Sequence, residues 1–535
     1  MKRQNSESCA FHRQVIQVLF AIVAFVCPAP ASATNFYWSV TSGDWSDPLS
    51  WGGAAPTSMF TDMAYIANGG TVNITQSESC NSLIVGYTGL GTGHVNMTDG
   101  ILNTYISGAF SIGLTNDGTF DQSGGSVGTG FFTIGGSSSL CSGVTGTYHL
   151  SGNSALTSNS GQTVGQYGIG KFTQDGGSNH NLGIILGSYA NSFGTYTLND
   201  GSVSAASITA GVNGTGTFNQ NGGAVTISSD TPGLNIASQT GSTGAYNLYG
   251  GMLTLHFLKK GNGNASFNFG GGTLQAGAAF TSSLDMNLNG IGSVVGTLYN
   301  ATVDTAGVPV TLSGILSGVG GLNKLGSGTL TLSASNSYNG NTFINAGKLS
   351  LTSSGSIGST PIIDILSGAT FDLSAKSSFS LGGTQTIMGS GNILGNVIAS
   401  SGSHVSPGNS AGTLTLAGNL TLNDGALLDF ELASTSNSDM ISMSSSTLYL
   451  NNQDFFDFNF TALSGFGQGT YTLIDAGTIS GDLGNNLTGT IGDYSATLSK
   501  SGSDLILTVV PEPGTCMLLA AACLGLFVVK RMGKK

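Results

Sequence analysis

The stretch Gly118-Thr119-Phe120-Asp121-Gln122-Ser123-Gly124-Gly125 decides the fold, because it is one copy of a pattern that recurs eight times. The other copies are GHVNMTDG from Gly93, GTYHLSGN from Gly146, GKFTQDGG from Gly170, GTYTLNDG from Gly194, GTFNQNGG from Gly216, GAYNLYGG from Gly244 and a degraded ASFNFGGG from Ala265. Successive starts lie 21 to 28 residues apart, with a mean near 25, and only Asn153 departs from the closing Gly. Within a copy, Phe120 and Gln122, or Tyr196 and Leu198, are two apart and therefore share one face of a strand. The glycines that follow permit a sharp turn. A short apolar run often comes next, such as Ile184-Ile185-Leu186 or Ile208-Thr209-Ala210.

A unit of this size cannot bury its apolar face alone, so copies must stack. It is too short for a propeller blade of about 40–45 residues, and no leucine ladder or helical period supports a leucine-rich repeat. What remains is a parallel β-helix, or β-solenoid, with one coil per copy and coils about 4.8 Å apart.

Composition agrees. The chain has 535 residues, of which 85 are Gly and only 7% are charged. Average chains carry about 7% Gly and about 25% charged residues. No Gly-X-Y period is present, which excludes a triple helix. Helix formers are scarce, and a positive mean hydropathy of +0.18 argues against disorder. The expected class is all-β.

The start of a solenoid must be covered, and Trp38, Trp45 and Trp51 fall together there and nowhere else. An aromatic N-terminal cap is the expected reading; a sugar-stacking platform is the alternative.

Both ends read as addresses. Lys2, Arg3 and Arg13 precede an apolar run from Val15 to Val26 and a small-x-small Ala31-Ser32-Ala33, the pattern of a secretory signal cut by signal peptidase after Ala33. At the other end, Val510, Pro511, Glu512 and Pro513 precede an apolar segment from Thr515 to Val529, then the basic tail Lys530, Arg531, Lys534 and Lys535. Fifteen helical residues reach about 22 Å, short of a hydrocarbon core of about 30 Å but adequate for a stop-transfer segment. The cations would stay cytoplasmic. This motif, single hydrophobic helix and basic tail resemble the PEP-CTERM sorting signal of Gram-negative bacteria. The resemblance implies transient inner-membrane anchoring and removal of the tail by an exosortase, an inner-membrane cysteine protease.

A second resemblance lies inside the chain. Residues 322–351 read LNKLGSGTLTLSASNSYNGNTFINAGKLSL. Lys324, Gly326, Gly328, Leu330, Leu332, Asn336, Tyr338, Gly340, Thr342, Ile344, Gly347 and Leu349 resemble the autotransporter-associated β-strand repeat, which implies a surface-exposed passenger β-helix. SPGNSAGTLTLAGNLTL from Ser406 is similar to a segment found near the C-terminal end of such passengers. A single apolar segment with a basic tail replaces the membrane barrel of a true autotransporter, so self-translocation is not expected.

The expected organisation is a signal peptide over 1–33, a Trp-containing cap region over 34–80 and Gly-rich solenoid repeats over 81–300. The autotransporter-associated region follows over 301–400, then a β-rich C-terminal region over 401–508 and the sorting signal over 509–535. Whether 401–508 continues the stack or forms a separate sandwich stays open.

Charge and chemistry point away from several functions. Of the 14 Lys and Arg, three lie in the leader and four in the tail, leaving seven against 25 of the 26 acidic residues and a net charge near −18. Nucleic-acid binding needs clustered cations and is excluded; Lys259-Lys260 reads as a solvated turn. Asp429 and Glu431 share a strand face opposite Leu428, Phe430 and Leu432, which makes them the solvent side of an alternating strand. Asp457 between Phe456 and Phe458 reads likewise, and Asp99 and Asp200 read as turn caps. His94, His149, His180, His256 and His404 are scattered, with no metal-ligand spacing, and no metal or cofactor is expected. Cys80 and Cys141 lie where a disulfide could form, but 61 residues is about two and a half coils, so buried thiols are expected.

The sequence therefore points to a non-enzymatic exported β-solenoid, structural or adhesive, at the cell surface or in the extracellular polysaccharide matrix. Its expected partners are the two processing proteases and, outside, a polysaccharide or other surface proteins. The alternative is a polysaccharide-acting lyase or hydrolase, or a carbohydrate-binding β-helix.

Overall fold

The computed structural model describes residues 33–141, 143–290 and 300–512. Over these residues the chain is all-β, and its strands climb as a three-faced parallel solenoid. One coil shows the rule. Its strands Gly118–Gln122, Ser126–Thr129 and Phe131–Ile134 each pair in parallel with the matching strand of the next coil. Gly118 faces Gly146, Ser126 faces Ala155, and Phe132 faces Gln162. The repeat read from the sequence is therefore the coil itself, and register is set by aligning the same position of each copy. In two coils the strands run on through the corners, as Ile169–Leu186 and Phe193–Ala210.

Alternation decides what lies inside. The strand Thr145–Leu150 buries Gly146, Tyr148 and Leu150 and turns Thr147 and His149 outward. Inward residues of all three faces meet in one continuous core that runs from Trp38 to Val509. Along the axis, Phe120, Tyr148, Phe172, Tyr196, Phe218, Tyr246 and Phe267 stack ring on ring, with centroids 4.5 to 5.5 Å apart and planes within 12°. Such offset stacks add about 0.5–1.5 kcal/mol per pair beyond area burial.

Trp38, Trp45 and Trp51 are buried at the first coil, edge-to-face with centroids 5.1 Å apart. The Trp51 indole N–H donates to the Trp45 carbonyl at 2.7 Å. The turn that carries Trp51, Pro48–Trp51, begins on Asp47, whose carboxylate accepts the Leu49 N–H.

The second half keeps the architecture. Leu322 faces Thr342, Ile363 follows, and Ile387 and Val405 continue the same face to Leu428 and Phe458. Residues 401–508 both continue the stack and end it. Their early strands pair in parallel, while Gly469–Leu483 turns to antiparallel pairing with Asp504–Pro511, which carries Tyr494–Ser501 and then Thr488–Ile491.

Two local expectations need correction. Asp457 is not the outer residue of a strand: Phe455–Asp457 forms a 3-10 turn, Phe456 is 76% exposed, and the Asp457 carboxylate accepts the Asp454 N–H at 2.8 Å. The preceding Asp454 starts a turn, which breaks the period of two on which the expectation rested. Lys259 and Lys260 lie on the strand Leu258–Lys260 rather than in a turn, and Lys260 pairs with Asp285 at 3.2 Å. The expected hydrophobic helix at 515–529 and the tail Lys530, Arg531, Lys534 and Lys535 lie outside the described residues, as do Pro513 and most of the leader. Among the described residues no helix is long and apolar enough to cross a membrane.

Candidate functional site

The motif residues turn out to be internal fasteners. In the Gly-rich repeats, Phe-x-Gln and Tyr-x-Leu copies alternate, and the structure shows why. The Tyr148, Tyr196 and Tyr246 hydroxyls donate to the Oε1 of Gln122, Gln174 and Gln220 in the preceding coil, at 2.5 to 2.7 Å. The Gln122 Nε2 then donates to the carbonyls of Gly125 and Ala155, and Gln174 and Gln220 repeat the arrangement. Each buried amide is thus satisfied across neighbouring coils, as burial requires. Burial holds all three phenols well above the usual tyrosine range.

The segment 322–351 behaves the same way. Lys324 is fully buried, and its ammonium donates to Thr305 Oγ1 and to the carbonyls of Leu325, Gly326 and Ala346, at 2.7 to 3.0 Å. Desolvation lowers it to about 8, against the attraction of Asp304. Asn336 accepts the Leu316 N–H and donates to the carbonyls of Ala334 and Ser356. The Tyr338 hydroxyl lies 2.6 Å from Thr342 Oγ1, which donates on to Thr360. Lys324, Asn336 and Thr342 thus tie their own coil to others, while Tyr338 braces Thr342 within the coil.

On the outer surface, histidines that look isolated in the sequence find partners one coil away. His94 Nε2 and His149 Nε2 lie 2.8 Å from Asp121 and Asp175, and His256 and His404 pair with Asp230 and Asp429. The offsets are 25 to 27 residues. A search at the coil period would have found them; a search at ligand spacing could not. Asp99 and Asp200 cap their turns through the N–H of Gly100 and Gly201, as expected. Among the described residues no group of three or more His, Cys, Asp or Glu could hold a metal.

A cleft of about 420 Å³ brings Asp429, Glu431 and Asp439 together with Asn409 and Asn459. Asp429 and Glu431 do sit on the outer face. Asp429 accepts from His404 at 2.8 Å and from Asn459 at 2.7 Å. Asp439, absent from the sequence reading, is buried, accepts the N–H groups of Gly412 and Glu431, and is pushed up to about 6 by desolvation. No Lys or Arg lines this cleft.

Cys80 and Cys141 are free, buried thiols. Burial pushes the Cys80 thiol up, with the Asp62 carboxylate adding to it. The buried tryptophans offer no ring face to a sugar, which overturns the stacking-platform alternative. Of the residues expected to form a sorting motif, Val510 and Pro511 end the strand Asp504–Pro511, paired with Ser495 and Tyr494. Ala33 is exposed at the start of the described chain.

Residues 322–351 match the Passenger-associated-transport-repeat family. That span is the one whose Lys324, Asn336 and Thr342 are the buried fasteners. The chain is also similar to the Adhesin BmaC autotransporter of Brucella suis biovar 1 (strain 1330), with 32% identity over 206 residues. The similarity covers 34% of this chain and 6% of that adhesin. The chain therefore carries an autotransporter-associated repeat within a β-solenoid.

Proposed function

We propose that this chain is an exported, non-enzymatic surface or matrix protein whose solenoid acts as a structural or adhesive rod. The observation that carries the reading is the use of its motif side chains. Gln122, Gln174, Gln220, Lys324 and Asn336 each hydrogen-bond a neighbouring coil. The similarity to a protein named as an adhesin supports the same reading. The tryptophan cluster serves as the N-terminal cap, and the six segments from leader to sorting signal are the working units.

Export is the finer part of the proposal. Signal peptidase cuts after Ala33, the segment after Val510-Pro511-Glu512-Pro513 holds briefly in the inner membrane, and an exosortase removes the basic tail. The mature rod then stands at the surface or in the extracellular polysaccharide. Fractionation of the native cell with a tagged chain, followed by mass determination of both termini, tests this. Deleting Val510 to Lys535 is expected to change processing and location; unchanged processing would refute the sorting step. Loss of cell attachment or matrix integrity on deleting the gene tests the rod itself.

The cleft around Asp429, Glu431 and Asp439 is the observation that favours a polysaccharide-acting alternative, since glycoside hydrolysis uses paired carboxylates. Two of the three carboxylates, Asp429 and Asp439, are already engaged by hydrogen bonds within the solenoid, which weighs against it. Turnover of a polysaccharide panel by the purified chain, abolished by Glu431→Gln, would replace the structural reading.

A further inference from the structure

A trough of about 530 Å³ runs across several coils on the face that includes Phe131–Ile134. Its origin is a column of the ladder where side chains are missing. Gly161 and Gly183 lie at exposed or half-buried positions on successive coils, and Ser207 is the next register partner. The outward residues Thr133, Thr163, Ile185 and Thr209 follow one another in register as the floor. One rim is apolar: Phe131 is 58% exposed, and Leu182 and Pro232 also line the trough. The other rim is Gln166, followed in the chain by Tyr167, whose ring stacks on the exposed Tyr189 at 3.9 Å.

None of the fourteen residues lining the trough carries a charge, on a chain whose net charge is −12. That combination argues against an anionic occupant, which the chain's net negative charge repels, and against a cationic one, which needs an acidic lining. Hydroxyls and an amide along the floor, with the exposed Phe131 ring at one rim, suit a ligand that has polar edges and apolar C–H faces. The trough also runs with the axis, so its functional groups repeat at about 4.8 Å, close to the length of one hexopyranose unit. We propose that this trough binds a neutral polysaccharide chain lying along the solenoid axis. The inference rests on the adhesive reading above and gives it a ligand class and a place.

Affinity electrophoresis of the purified full chain tests it, in gels containing glucomannan, dextran, hydroxyethyl cellulose or alginate. At least one neutral polymer is expected to retard the chain, with an association constant about tenfold or more above that for anionic alginate. Phe131→Ala removes an exposed ring, and Gly183→Phe fills the trough at a site where an added Cβ meets only Ser207. Each is expected to weaken retardation about tenfold with the strand signal and melting temperature unchanged. Absence of retardation by every neutral polymer, equal retardation by alginate, or full retention in both variants would overturn the trough as a glycan site. Cell attachment in the gene deletion is a separate readout. Attachment lost by the deletion and kept by both variants would sink only the trough; attachment kept by the deletion would sink the adhesive reading.

Discussion

The Tyr196 hydroxyl donates to Gln174 Oε1 in the coil below it, at 2.5 Å, while accepting from Asn179 Nδ2 at 2.9 Å. All three groups are buried. The pair explains why aromatic and second residues covary along the repeat: a Tyr copy requires a Gln copy before it. Tyr196→Phe leaves the Gln174 oxygen without its donor, which costs about 1–3 kcal/mol. Native-state hydrogen exchange localises the loss, because a repeat array opens by coils. Amides of 169–210 are expected to exchange faster, with those of 363–428 unchanged. A uniform change along the rod would contradict a coil-to-coil fastener.

The same phenols set an alkaline limit. Burial raises Tyr148, Tyr196 and Tyr246, and Tyr338 as well. An unfolded tyrosine releases its proton near pH 10, while these hold theirs in the folded chain. Above that pH the unfolded state binds fewer protons, so stability falls as pH rises, by about 1.4 kcal/mol per pH unit for each tyrosine. The Tyr148→Phe, Tyr196→Phe, Tyr246→Phe variant is expected to be less stable at neutral pH yet to lose stability less steeply above pH 10. Circular dichroism against pH, followed with tyrosinate absorbance, checks both; equal slopes for variant and parent would remove the three phenols from the account.

The spacing of the repeat was enough to define the coil, because stacking forces equivalent residues into register, as Gly118 and Gly146 are. It also made legible which residues point in: Tyr196 and Leu198 share a buried face as their spacing required. The polar partners were not legible. His94 and Asp121 are 27 residues apart, and Lys324 reaches Ala346 across 22, so neither pair forms a local motif. The Asp429, Glu431 and Asp439 cleft was hidden for a related reason, since its third carboxylate comes from the loop that follows their strand. The turn at Phe455–Asp457 failed because a capping Asp overrides alternation.

Glycine at one column follows from close approach rather than from turning. An added Cβ on Gly194 would lie against the Val164 carbonyl oxygen and the Gly187 N–H, closer than side-chain atoms approach backbone. Gly146, Gly216 and Gly244 meet the carbonyls of Ile112, Leu186 and Ala210 in the same manner. Gly194→Ala is therefore expected to destabilise by about 1–3 kcal/mol, the range for overpacking. Gly358, with nothing near its Cβ position, is the control, and Gly358→Ala is expected to be neutral. Thermal melting compares the two; equal shifts would mean that the column reflects flexibility of the unfolded chain instead.

Lys324 offers the sharpest test of the repeat at 322–351. Its ammonium is the common donor to three carbonyls and one hydroxyl drawn from three coils. Lys324→Met keeps the stem but strands neutral buried acceptors, which costs about 1–3 kcal/mol, the range for a buried polar group left unsatisfied. The sign of the pH dependence follows from its titration. The folded chain gives up this proton at about 8, whereas an unfolded lysine holds it to about 10.4. Between those values the unfolded state binds more protons, so the parent gains stability as pH rises, by at most about 1.4 kcal/mol per pH unit. The variant lacks that term. The stability gap between parent and Lys324→Met is therefore expected to widen from pH 8 to pH 10, below the range where the buried tyrosines act. Denaturant unfolding at half-unit intervals of pH, read by hydrogen exchange over 301–351, measures it. Parallel curves would mean that the carbonyl ring holds the charge against burial, and that Lys324 fastens the coils as an ammonium throughout.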